Sequence, residues 1–165
     1  MKIIITESQY NRILKEEEEE QKVLRIPSLK FFRNDWDLLQ KFLKSKGDPP
    51  YSIGDDLFLE GTSIESLGNL QSVGRDLNLY ETPIESLGNL QSVGGDLDLY
   101  DTPIESLGNL TSVGGDLDLY KTPIESLGNL KSVGGFLNLP ETPLSKMYTK
   151  KQIRQMVNVD GEIYL

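Results

Sequence analysis

Val73-Gly-Arg-Asp-Leu-Asn-Leu-Tyr-Glu-Thr-Pro-Ile-Glu-Ser-Leu-Gly-Asn-Leu-Gln-Ser92 is a twenty-residue phrase that begins again at Val93, Val113 and Val133, with a looser first copy at Ile53. A fixed step of this length, carried by leucine-type residues, is the signature of a solenoid. Each coil of such a fold buries its apolar face only by stacking on its neighbours. The repeat divides the 165 residues into an arm and cap over 1–50, a solenoid over 51–144 and a tail over 145–165.

Within a coil, Asp96-Leu-Asp-Leu-Tyr100 alternates polar and apolar residues and predicts a short strand with Leu97 and Leu99 turned inward. Pro103 blocks further ladder donation and ends the strand. Ile104, Leu107 and Leu110 continue the inward set along a return too rich in Gly, Asn and Ser to be a regular helix. Gly94-Gly95 supplies the tight corner back to the next strand. Stacked in register, the strands make one parallel sheet with neighbours about 4.8 Å apart.

Both flanks carry helix signals. Thr6-Glu-Ser-Gln9 fits a capping box, and a helix with Tyr10, Ile13 and Leu14 on one side should follow it into the charged run Glu16–Glu20. Asn34 is placed to cap a second helix in which Trp36, Leu39 and Leu43 form an apolar face and Leu38 and Phe42 widen it. Gly47 and Pro49-Pro50 end that helix, which should cover the first coil. At the other end, Val159-Asp-Gly-Glu-Ile163-Tyr-Leu165 aligns with Val133-Gly-Gly-Phe-Leu137-Asn-Leu139, so a sixth strand is expected there. The spacing is 26 rather than 20. The excess holds a second capping box, Thr149-Lys-Lys-Gln152, followed by Ile153, Met156 and Val157 at helical spacing.

The phrase Leu97-x-Leu99-x-x-Thr102-x-Ile104 resembles the strand core of the leucine-rich repeat family, Leu-x-Leu-x-x-Asn-x-Leu, with threonine in place of asparagine. Its Val-Gly-Gly corner is similar to repeats of receptor L-type domains and of bacterial or phage relatives. The resemblance covers 51–144 and implies an α/β solenoid: a right-handed coil with one parallel β-sheet, irregular convex returns and helical caps at both ends. It also implies that Thr62, Thr82, Thr102, Thr122 and Thr142 bond backbone groups of adjacent coils from inside. Family membership implies a binding scaffold without specifying the partner.

Charge is distributed unevenly. The repeat holds 15 Asp/Glu against 3 Lys/Arg, a net −12, whereas 1–50 carries +1 and 145–165 carries +2. Such acidity argues against nucleic-acid binding through the solenoid, because phosphate backbones are held by Lys and Arg. The chain has no cysteine and no histidine, which removes disulfides, thiol nucleophiles, zinc fingers and the usual neutral-pH proton shuttle. No stretch approaches a membrane span, and a cytoplasmic protein without cofactors is the expectation.

The outward residues of the strands form columns on the expected concave face. One is Asp56, Asp76, Asp96, Asp116 and Phe136; the next is Phe58, Asn78, Asp98, Asp118 and Asn138; the third is Glu60, Tyr80, Tyr100, Tyr120 and Pro140. Tyrosine gives rigid amphipathic contact area, and ranks of carboxylates steer basic partners. Stacked like charges destabilise a sheet and ask for a reason. The expectation is a non-enzymatic scaffold that binds the basic surface of a protein partner through Phe58, Asp76, Asn78, Tyr80, Asp96, Asp98, Tyr100, Asp116, Asp118, Tyr120, Phe136 and Asn138. Two other readings compete with it. One is an assembly protein joined through its ends, chiefly the edge of the last strand; the other is a module whose Asp96, Asp98, Asp116 and Asp118 share Ca²⁺.

Overall fold

Each twenty-residue phrase folds into one coil bearing two short strands, and the coils stack in register. The structure is a computed structural model that describes residues 23–165. The helix expected after Thr6 and the Glu16–Glu20 run lie outside the described residues. The strand pairs are Tyr51–Ile53 with Leu57–Phe58, Leu70–Val73 with Leu77–Asn78, Ser92–Val93 with Leu97–Asp98, Ser112–Val113 with Leu117–Asp118, and Ser132–Val133 with Leu137–Asn138. All pairing is parallel, and residues twenty apart face each other, as Val93 faces Val113 and Leu97 faces Leu117.

The solenoid with capped ends agrees with the periodicity, but the sheet count differs. One sheet was expected; among the described residues there are two, of seven and six strands. The Ser-Val residues before the glycine corner are themselves extended, with valine turned inward, so the corner joins two ladders instead of opening one. The strands are shorter than the alternation predicts: Asp96–Tyr100 contracts to Leu97–Asp98, although Leu99 still donates its N–H to the Asp118 carbonyl at 2.9 Å. In the middle coils the first corner position is held to glycine. A Cβ on Gly94, Gly114 or Gly134 would overlap the carbonyl oxygen of the glycine twenty residues earlier.

The inward set fills the coil completely: Leu77, Leu79, Ile84, Leu87, Leu90 and Val93 are each at most 2 % exposed, and the other middle coils repeat the pattern. The threonines act differently from what the family resemblance implies. Thr82, Thr102, Thr122 and Thr142 are buried, and each hydroxyl donates to the carbonyl three residues back in its own coil, as Thr102 does to Leu99 at 2.7 Å. Thr62 makes the same bond but is exposed. Bonds between coils fall instead to the asparagines: Asn69 donates to the Asp48 carbonyl, Asn89 to Asn69 and Asn109 to the Gly88 carbonyl. The serines bond locally, Ser86 accepting from Gly88 N–H.

The N-terminal cap is more elaborate than its sequence suggests. Leu24–Ile26 adds a parallel strand to the first sheet, and a 3-10 turn, Leu29–Phe32, leads to the helix Trp36–Ser45. Asp35, not Asn34, caps that helix, its carboxylate accepting from Leu38 N–H at 2.9 Å. Asn34 sits in the left-handed region at φ 57°, which leaves the following residue to serve as the cap. Trp36, Leu39 and Leu43 are buried and Leu38 is exposed. The buried Tyr51 hydroxyl donates to the Leu67 carbonyl and accepts from Gln40, tying helix to coil. Burial pushes the Tyr51 phenol well above its ordinary value, Gln40 only partly opposing. Asp48, at φ 51°, stands twenty residues before Gly68 at φ 58°, so the cap leaves by the turn that Gly68, Gly88, Gly108 and Gly128 make in the first four coils.

The C-terminal register is as the alignment predicts: Val133 pairs with Val159 and Leu137 with Ile163. Two helices fill the longer return, Pro143–Met147 capped by Thr142 and Lys150–Met156 capped by the Thr149–Gln152 box. Ile153 and Val157 are buried; Met156 faces solvent. Arg154 donates to the Val159 and Gly161 carbonyls and closes the last corner. Among the described residues no helix is long and apolar enough to cross a membrane.

Candidate functional site

Of the outward residues singled out in the sequence, Phe58, Asn78, Asp98, Asp118 and Asn138 lie in the strands of the six-stranded sheet, with the aspartate column at the corner before them and the tyrosines in the turn after them. Register sets the neighbours: Asn78 beside Asp98, Asp98 beside Asp118, Asp118 beside Asn138. The same register extends the face by two residues that the column reading omitted. Glu162 follows Phe136 and Tyr164 follows Asn138. The alignment of Ile163 with Leu137 already contained that signal.

The stacked aspartates have a structural reason. Oδ1 of Asp56, Asp76, Asp96 and Asp116 accepts the backbone N–H of the residue twenty further on, at 3.2, 2.9, 2.7 and 2.7 Å. Each carboxylate thus stitches two coils at the corner, where charge-assisted bonds offset part of the repulsion. The neighbouring Gly95, Gly115 and Gly135 leave the room it needs, since a Cβ there would overlap the Oδ1 of the preceding coil's aspartate.

The second column sets the turn that carries the tyrosines. Asn78, Asp98 and Asp118 accept the N–H of Tyr80, Tyr100 and Tyr120 at 2.9, 2.9 and 2.8 Å, the Asx turn that these side chains favour. Burial, followed by the charges of Asp118 and Glu60, pushes the Asp98 carboxyl above the usual carboxylate range, against the pull of the Tyr100 N–H.

The tyrosines form a stack. Ring centroids are 4.9 Å apart for Tyr80–Tyr100 and 5.1 Å for Tyr100–Tyr120, with interplanar angles of 27° and 31°. Tyr80 donates to Glu81 at 2.7 Å and Tyr120 to Glu141 at 2.6 Å. The Glu81 bond, with some burial, pushes the Tyr80 phenol up to about 12, and the bond to Glu141 raises the Tyr120 phenol above its ordinary value. Lys121 occupies the row in which the first coil has Gly61 and the others have Glu81, Asp101 and Glu141. Its ammonium donates to the Tyr100 hydroxyl at 3.1 Å and lies 5.4 and 5.3 Å from the Tyr100 and Tyr120 ring centroids. The bond to the Tyr100 hydroxyl, with smaller electrostatic help from Tyr120 and Glu141 and against some burial, holds the lysine above its ordinary pKa.

At the C-terminal end Phe136 meets Tyr164 edge to face, and with Asp116, Asp118 and Asn138 they line a cleft of about 380 Å³. At the opposite end Phe58 is exposed. Among the described residues no group of three or more carboxylates is placed to hold a metal ion. In the last strand, which ends the six-stranded sheet, Ile163 is fully buried and Glu162, Tyr164 and Leu165 are exposed.

No protein-family model, curated protein or solved structure matches the chain significantly.

Proposed function

We propose that the chain is a non-enzymatic, leucine-rich-repeat-like scaffold whose acidic, tyrosine-lined strand face binds the basic surface of a protein partner. The single observation that carries this reading is Lys121. On a face otherwise ranked with carboxylates, the chain's own ammonium is cradled by two stacked tyrosines and a phenol oxygen. A partner's lysine or arginine would find the same chemistry along the row, since each ring offers a cation–π surface. The Leu-x-Leu-x-x-Thr-x-Ile phrase and the flat repetition of coils support a scaffold, and a cysteine-free composition suits the cytoplasm.

An array of basic, neutral and acidic peptides tests the reading. The native chain is expected to retain the basic peptides, less so as salt rises, and the triple variant Tyr80→Ser, Tyr100→Ser, Tyr120→Ser should lose them while keeping its circular dichroism spectrum. Retention that ignores peptide charge, or that survives in the folded triple variant, overturns it.

A further inference from the structure

The repeat is broken at one place on the strand face. Phe136 stands where the four earlier coils have aspartate, and Tyr164 extends the column of Asp118 and Asn138. The two rings meet at 5.9 Å and 66°, yet each remains 46 % exposed, while the core beneath them is sealed by Leu137 and Ile163 at 0 %. Core packing therefore does not account for the aromatics. They form the wall of the cleft whose other lining residues include Asp116 and Asp118. Each carboxylate uses Oδ1 for backbone N–H groups, Asp118 taking the Asn138 amide as well, and among the described residues Oδ2 of neither has a partner.

We infer that this cleft holds an arginine side chain of the partner, its guanidinium plane against Phe136 and Tyr164 and its N–H groups donating to the Oδ2 atoms of Asp116 and Asp118. The inference rests on the reading of the strand face as a surface for basic partners. Arginine fits better than lysine because a flat, weakly hydrated cation stacks on a ring and reaches carboxylates through a fork of donors at once. A second copy of the chain is a poorer occupant. Among the described residues, besides the cap's Arg25 and Arg33, it offers Arg75, already paired with Asp55 at 3.5 Å, and Arg154, already bonded to the Val159 and Gly161 carbonyls, and it would bring its own rank of carboxylates against this one.

Titration of the ¹⁵N-labelled full chain with N-acetylarginine amide, beside its neutral isostere N-acetylcitrulline amide, tests the inference by amide chemical shifts. The arginine probe is expected to move the signals of Phe136, Asn138 and Tyr164, the citrulline probe to leave them, and Phe136→Ala or Tyr164→Ala to weaken binding about fivefold. Either folded variant suffices, should the other lose spectral dispersion. Equal response to citrulline, or undiminished binding in the folded variants, overturns the cleft. Movement of the same signals with protein concentration alone points to a second copy and overturns it too. Shifts confined to Tyr80–Tyr120 sink the cleft and leave the wider reading standing; no shifts together with no retention of basic peptides sinks both.

Discussion

The carboxylate of Asp96 accepts the backbone N–H of Asp116, one coil further on, at 2.7 Å. A side chain here does what a backbone carbonyl does elsewhere in the ladder, at the corner where two sheets meet and the regular pairing is interrupted. Asp96→Ala leaves that N–H without its partner and is expected to cost about 1.5 kcal/mol, the lower end for a bond to a charged acceptor. Asp96→Asn keeps an acceptor oxygen and lowers the stacked charge, so its change should stay within about 0.5 kcal/mol. Urea unfolding of both variants separates the two roles, and equal losses would show that charge, not acceptance, is what the position supplies.

Asp98 pairs laterally with Asn78 on one side and Asp118 on the other. Its folded pKa is raised, mainly by burial and then by Asp118 and Glu60, so the folded chain holds the proton more tightly than the unfolded chain. The ionised carboxyl therefore detracts from stability above the folded value, and that loss is relieved as pH falls through it. Asp98→Asn should raise the melting temperature at pH 7. It retains the acceptor for Tyr100 N–H, as Asn78 does for Tyr80, and its amide can donate to the preceding column residue as Asn138 does to Asp118. The gain, about 0.5 kcal/mol by analogy with cross-strand like charges, should shrink as pH drops toward about 4. A gain constant from pH 7 to pH 4 would show that charge is not its source.

Much of this was legible because the repeat is its own alignment. Register and inward residues follow from counting twenty, the displaced sixth strand from aligning Val159–Leu165 on Val133–Leu139 across 26, and the Thr149–Gln152 box forms as its letters indicate. What counting could not show is where a side chain spends its hydrogen bonds. The buried threonines serve their own coil, not the next one, because the carbonyl three residues back is the nearest acceptor. The second sheet was hidden because Ser92–Val93 is too short to display alternation. The face residues were found but not their duties: half of each column-one carboxylate is committed to the fold, and Lys121 differs by one letter from coils in which the same position is acidic.

Gly114 and Gly108 offer a direct comparison of two reasons for glycine. A Cβ at Gly114 would overlap the Gly94 carbonyl oxygen, whereas at Gly108 nothing lies within 4 Å and only φ, at 55°, disfavours a side chain. Gly108→Ala should cost about 1 kcal/mol, the strain of a left-handed L-residue. Gly114→Ala must push two coils apart and should cost about 2–3 kcal/mol, in the range of core overpacking. Thermal unfolding of the pair measures the difference; similar losses would mean that the corner can open at little expense.

Removal of a whole coil tests whether the solenoid is a sum of like parts. Excision of residues 93–112 joins Ser92 to Val113 and restores every partner at the same phase, because each ladder contact in the middle coils spans twenty residues. Tyr80 would then stack on Tyr120, and Lys121 would lie over Tyr80 in place of Tyr100. Repeat proteins gain stability coil by coil through nearest-neighbour interfaces, so the shortened chain should fold with the same circular dichroism signature and a lower melting temperature. Excision of residues 93–102 removes the same kind of sequence at half the length. It brings the Pro103–Ile104 return onto the place of a strand, turns inward leucines out of phase, and should abolish cooperative unfolding. Two deletions that behaved alike would mean that the caps, not the stacking of coils, hold the fold.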